Sequence, residues 1–357
     1  MSAADDLDLV RGLVAIPSVS RHEGEAVEWL VARMAERGFR ASVDDAGNAV
    51  GEIGEGPVHV MLLGHIDTVP GDIPVRVEDD ELVGRGAVDA KGPLAAFVAA
   101  ATTPVPGVRV TVVGAVEEES PTSRGARHRA TLPAPDWCVI GEPSGWDAVT
   151  VAYKGRLGVT LALRRDARHG AAPGPTVTEE ALGLWSRIHA AGEARTPGST
   201  GFEHLDCRLE AIQGGQSDGL TEHAELRVGY RIPPGITTAE LAGEVRQLAA
   251  AHTGDAQVSV EVGASEEPAR TPRTTPLARA FVGAIAAAGG RATFKVKSGT
   301  SDMNILAPAW GCPMVAYGPG DSRYDHTPME RLALADYQRA IAVLRVVLER
   351  AHARGAG

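Results

Sequence analysis

Cysteine is scarce in this chain: Cys138, Cys207 and Cys312 are the only three in 357 residues, widely spaced and without a Cys-x-x-Cys pair. That excludes a disulfide framework and a thiolate zinc site, so any metal must be held by histidine and carboxylate. Long apolar runs are also missing. None approaches the ~18–20 residues needed to cross a bilayer, and the acidic start MSAADDLDLV lacks the basic-then-apolar order of a signal peptide. A cytoplasmic protein with no membrane partner is therefore expected. Positive charge is in deficit, with 35 Lys and Arg against 46 Asp and Glu and a formal net charge of −11. No basic block is long enough to track a phosphate backbone, which argues against nucleic acid as a partner.

What remains is the composition of a folded protein, 44% apolar and 23% charged. The length exceeds the ~250–300 residues at which one core stops growing, so two domains are expected. Val27, Leu30, Val31 and Met34 recur at helical spacing and Gly38 closes that helix. Val58–Leu63, Val108–Val113 and Trp137–Ile140 are β-branched or apolar runs bounded by turn residues, with an Ala-rich helix over about 93–102 between the first two. Strand, helix, strand at this spacing predicts an α/β domain with a mainly parallel sheet and helices on both faces.

From about Lys154 the pattern changes. Strands near 157–164, 203–212, 222–232 and 257–262 and helices near 175–191 and 238–252 give the order β, α, β, β, α, β of a ferredoxin-like α+β domain. The Arg- and Pro-rich stretch 266–276 then reads as a linker back to helix–strand–helix alternation. The expected organisation is one domain over 1–153 and 267–357 with a second, 154–266, inserted into it.

The sharpest local feature is Gly-His65-Ile-Asp67-Thr-Val-Pro, directly after the first of these strands, where ligands gather in open α/β sheets. In extended chain, residues i and i+2 share a face, so Asp67 can orient the His65 imidazole. Asp89, in GRGAVDAKGP, stands before a helix, where an Asp taken singly is the usual N-cap. Glu117, Glu118 and Glu119 end the next strand, either as a solvated acidic turn or as like charges relieved by a cation. Glu142 follows the third strand and His326 sits in a Tyr-Asp-His-Thr-Pro loop. Taken together, His65, Asp89, Glu119, Glu142 and His326 suit a pair of zinc ions bridged by one Asp, with a spare carboxylate of the triplet as general base.

These ordered motifs resemble, over nearly the whole chain, the co-catalytic zinc metallopeptidases that include carboxypeptidase G, the acetylornithine and succinyl-diaminopimelate deacylases and aminoacylase. The resemblance implies two Zn2+ ions, with Co2+ or Mn2+ as substitutes, on His65, Asp89, Glu119, Glu142 and His326, with Asp67 orienting His65. The family's D-E-E stands here as E-E-E. The downstream Gly125-Ala126-Arg127 aligns with Glu117 in the place of the Asp, making Glu118 the base and Glu119 the ligand, and the register stays open by one residue. The inserted domain resembles the family's lid, which commonly forms a homodimer. By the same resemblance His169 stabilises the oxyanion and Arg231 lies near the substrate carboxylate, although Tyr230 stands where an Asp is usual. Gly299, Ser301 and Asp302 then belong to the substrate-shaping loop.

Within the family, GHIDTVPG, GRGAVDAKGPL, VEEES and SGTSDMNIL look most similar to the branch that releases lysine or ornithine from the C-terminal glutamate of a small acidic amino-group carrier protein of the LysW type. That reading implies an amide hydrolase with Asp302 facing the substrate ammonium, and a basic docking surface for which Arg124, Arg127, His128 and Arg129 are the candidates. Two alternatives stay open: an N-acetyl-lysine or N-acetyl-ornithine deacetylase or other acyl-amino-acid or dipeptide hydrolase, and a metal-binding scaffold without activity. A serine hydrolase is disfavoured because no GxSxG elbow is present.

Overall fold

A computed structural model of the chain describes residues 2–216 and 219–355. It divides into two compact units, Met1–Ala152 with Thr271–Val296 and Ser301–Gly357, and Tyr153–Arg270 with Lys297–Thr300.

The first unit is an α/β layer. Strand Val58–His65 lies between Val108–Ala115 and Trp137–Gly141 and runs parallel to both, and Met314–Ala316 adds a further parallel pairing to Trp137–Gly141. Antiparallel strands Ala49–Ile53 and Arg40–Val43 continue the sheet beyond Val108–Ala115. Val58–His65 and Val108–Ala115 are buried for most of their length, which is why they read as unbroken apolar runs rather than as alternation. Helix Lys91–Ala101 is buried at every position, and Ala3–Val14 and Leu334–Gly355 pack on it. A helix apolar all round belongs inside a layer. Val60, Leu62, Phe97, Val112 and Val139 are among its core residues. Helix Gly24–Glu36 ends just before Gly38, whose φ of +87° makes it the left-handed terminator the sequence predicts.

The second unit is a four-stranded antiparallel sheet in the order Asp206–Gln216, Thr221–Ile232, Gly155–Asp166, Gln257–Glu266, with helices Val177–Arg195 and Thr238–Ala250 packed on it. Its chain order and spatial order are those of a ferredoxin-like domain. Gly155–Asp166 alternates buried and half-buried residues, placing Leu157, Val159, Leu161 and Leu163 in a core with Leu184, Ile188, Leu226 and Val228. Among the described residues, no helix is long and apolar enough to cross a membrane.

Candidate active site

Four segments that end or follow strands of the first unit, carrying His65, Asp89, the acid triplet and Glu142, and one loop near the C-terminus, carrying His326, supply the site. His65 is the last residue of its strand and is 2% exposed. Its Nδ1 donates to the Asp67 carbonyl at 2.9 Å and stands 3.5 Å from the Asp67 carboxylate, which fixes the tautomer and leaves Nε2 facing Asp89 Oδ1 at 3.1 Å. Asp67 is fully buried. Its carboxylate accepts the Ser20 hydroxyl at 2.7 Å and the backbone N–H groups of Glu118 and Glu119 at 3.0 Å, so one side chain sets both the imidazole and the acidic loop.

Asp89 is not a helix cap. The helix begins at Lys91 with Ala90 in the cap position, and that N-terminus has no side-chain cap. The Asp89 carboxylate lies instead between two imidazoles, with Oδ2 3.0 Å from His326 Nε2. His326 Nε2 is also 2.7 Å from Glu119 Oε1. Ligand atoms thus converge in two sets that share Asp89, one with His65 and Glu142 and one with Glu119 and His326. All members of each set lie within 4.8 Å of one another, and a third set joins His65, Glu118 and Glu119.

The acid triplet is divided by its backbone. Glu117 has φ +61° and turns its carboxylate to Arg124 Nε, 2.8 Å away, and to the Thr122 hydroxyl. Glu119 reaches His326 and Asp89, and Glu118 lies beside His65. The solvated-turn alternative fails for Glu117, which is buried with its N–H on Glu23.

The electrostatics are those of a cation site. Burial pushes Glu118 well above the ordinary carboxylate range; the His65 charge opposes this, and Asp302, Glu142 and Glu119 add to it. Burial works against a charged His65, but hydrogen bonds to Asp67 and Asp89 and the Glu118 charge raise it well above 6.5. His326 is raised to about 10 by its hydrogen bonds to Asp89 and Glu119. Four carboxylates around two imidazoles make a concentrated negative charge, and imidazole with carboxylate is a donor set that suits zinc, cobalt or manganese. The residues present therefore fit a pair of divalent ions.

Two supporting residues carry no local sequence signal. Glu330, 0% exposed, accepts the N–H groups of Val88 and Asp89 at 3.0 Å and pairs with Arg85 at 2.8 Å. Glu23, also buried, accepts from Arg21 and Glu117. Each acts on a loop distant in sequence, which only the fold reveals.

Ser301 and Asp302 are buried in the first unit. The Ser301 hydroxyl accepts the Met303 N–H, and Asp302 Oδ1 has no hydrogen-bond partner among the described residues. Burial raises the Asp302 carboxyl to about 7 despite the His65 charge. His169, Arg231 and Gly299 belong to the second unit. His169 is exposed on a turn, where its Nδ1 accepts the Ala171 N–H. Arg231 is half-buried opposite Arg156, and its Nη1 has no hydrogen-bond partner among the described residues. The helix Arg124–Ala130 offers less free positive charge than its sequence implies, because Arg124 pairs with Glu117 and both His128 and Arg129 face Asp44.

Residues 61–350 match the model of peptidase family M20/M25/M40. The chain is 43% identical over 352 residues to a LysW-lysine hydrolase of Deinococcus radiodurans, covering 96% of each chain. Among solved structures it resembles aminopeptidase PepT of Bacillus cereus, with a TM-score of 0.79, 19% identity and 99% of each chain covered. It also resembles the YXEP protein of Bacillus subtilis, described as a dinuclear metal-binding peptidase, with a TM-score of 0.69, 14% identity and coverage of 97% and 98%. A match over most of the chain, together with a relative of this identity at full length, places the protein among the metallohydrolases: it belongs to peptidase family M20/M25/M40.

Proposed function

We propose that this chain is a two-metal amide hydrolase that releases lysine or ornithine from the C-terminal glutamate of a small acidic carrier protein of the LysW type. The observation that carries the chemistry is the sharing of Asp89 between two ligand sets. The substrate rests on the full-length likeness to the Deinococcus LysW-lysine hydrolase.

His65, Asp89 and Glu142 would hold one ion and Asp89, Glu119 and His326 the other, with zinc as the expected metal. Two such ions supply a nucleophile at neutral pH and polarise the scissile carbonyl. Glu118 is not needed as a ligand in either shared set, and its burial keeps a proton affinity suited to a base. It takes a proton from the attacking water at its carboxylate and returns it to the amine nitrogen as the C–N bond breaks, so that water is divided between the acid and the released amino acid. Asp67 holds His65 and the Glu118–Glu119 backbone in register for this.

In the second unit, Arg231 is assigned to a substrate carboxylate, because an unpartnered buried guanidinium N–H beside a second arginine favours an anion. His169 is assigned to the oxyanion and Asp302 to the substrate ammonium. Gly299 and Ser301 shape the loop. A homodimer formed through the second unit, acting in the cytoplasm, completes the reading.

The test is amino-acid release, followed by mass spectrometry, from a lysine-loaded carrier and from N-acetyl-lysine side by side, with added zinc or cobalt and with chelator. Faster chelator-sensitive release from the carrier is expected. Preference for the acetyl compound would make the enzyme a deacetylase instead. Glu118→Gln should keep its metal content and lose about 10²–10⁴-fold in rate.

A further inference from the structure

A cavity of about 440 Å³ opens beside the N-terminal helix of the first unit, walled by Val14, Ile16, Val69 and Val75 among others. None of the candidate metal ligands lines it, and its size falls in the ~300–1,000 Å³ range of small-molecule sites. Two cations, Lys91 and Arg85, enter a mainly apolar wall whose other polar side chains are Ser18, Thr68 and Asp72. Lys91 is 1% exposed, and among the described residues its ammonium donates one hydrogen bond, to the Ile16 carbonyl at 2.5 Å. An ammonium has three N–H donors, so its hydrogen-bonding capacity is not filled. Arg85 commits Nε to Gly71 O and Nη1 to Thr327 O and Glu330, which leaves Nη2 without a hydrogen bond among the described residues. A buried cation with donors to spare, set in an apolar wall, favours a ligand that carries an anion on a hydrocarbon stem.

We propose that this cavity binds a small aliphatic carboxylate, with the acid group on Lys91 and Arg85 and the hydrocarbon against Val14, Ile16, Val69 and Val75. Two sources share that chemistry, a plain aliphatic acid and an α-amino acid. Asp72 also lines the cavity and gives an α-ammonium a partner. The site does not depend on the hydrolase reading. Its wall is mechanically close to the metal cluster nonetheless: Thr68 N–H donates to Ser18 O, Ser20 N–H donates to Thr68 O, and the Ser20 hydroxyl holds Asp67.

The test uses ligand-observed NMR on the full metal-loaded chain with three probes: 4-methylpentanoate, leucine and isopentylamine. Saturable binding of 4-methylpentanoate is expected, none of the amine, and leucine tighter than the plain acid if Asp72 contributes. Ala15→Phe, at the exposed rim, and Val75→Phe each fill the cavity and should weaken binding at least about tenfold while leaving hydrolysis without probe unchanged. Chelation of the metal should not abolish it. The proposal is overturned if neither acid binds saturably, if the amine binds as well as the acids, if binding survives both cavity-filling variants, or if it vanishes with chelator, which would place it at the metal cluster.

Discussion

Asp67 shows how much of this site hangs on one side chain. It accepts from Ser20 and from the Glu118 and Glu119 backbone, and it holds His65. Asp67→Ala should therefore weaken metal binding by about 10–100-fold without removing a ligand, a loss readable by metal titration. A second residue-scale prediction concerns pH. His59, on the sheet strand that leads to His65, is pushed down to about 4 by burial and then by the Arg109 charge. Between pH ~4 and 6.5 the unfolded chain binds a proton that the native state refuses, so stability rises with pH through that window. His59 is partly solvated, and after discounting for screening the effect is on the order of 1 kcal/mol. Equilibrium unfolding at both ends of the window should show it, and His59→Gln should flatten the slope. At this scale the legible residues were those with a local pattern: His65 and Asp67 through their i, i+2 spacing, and the acid triplet through its place after a strand. Asp89 carried two readings, since an aspartate before a helix caps more often than it ligates. The fold removes the cap reading by starting the helix at Lys91, and it sets His326 against the carboxylate. Glu330 and Glu23 were illegible because their partners come from distant loops.

Elements are legible in the sequence wherever burial imposes a period. The runs at 58–63 and 108–113 are strands, but the ladder continues to His65 and Ala115 because backbone pairing outlasts the apolar side chains. The alternating strands of the second unit were visible because one face packs on helices. The strands Arg76–Glu78, Glu81–Val83 and Arg331–Ala333 were not, since three-residue strands carry too few side chains for a period, and Arg76–Glu78 is exposed throughout. Helix starts with a capping box are the strongest local signals. Thr176 accepts the Glu179 N–H at 3.2 Å while the Glu179 carboxylate accepts the Thr176 N–H at 2.7 Å. Thr176→Ala should cost the second unit about 0.5–2 kcal/mol in chemical unfolding. Metal affinity should not change, because the helix Val177–Arg195 carries none of the candidate ligands.

The same separation governs the whole molecule. His65, Asp89, Glu118, Glu119, Glu142 and His326 all belong to the first unit, and the second has its own hydrophobic core. A metal that binds the native first unit and not the unfolded chain stabilises it by mass action, by about 2.7 kcal/mol when free metal stands a hundredfold above its dissociation constant. In the native cluster, close carboxylates repel one another unless a cation relieves them, so chelation both removes that ligand and exposes the repulsion. Differential scanning calorimetry with and without chelator should therefore show a metal-sensitive transition for the first unit. Where the two units unfold as separate transitions, that of the second should stay in place. To assign the transitions, Thr176→Ala marks the second unit, because it should lower only the metal-insensitive one. A chelator that moved the Thr176-sensitive transition by as much as the other would show that the two units unfold as one cooperative body. A chelator that moved neither would show that the ligand sets around Asp89 hold no stabilising metal.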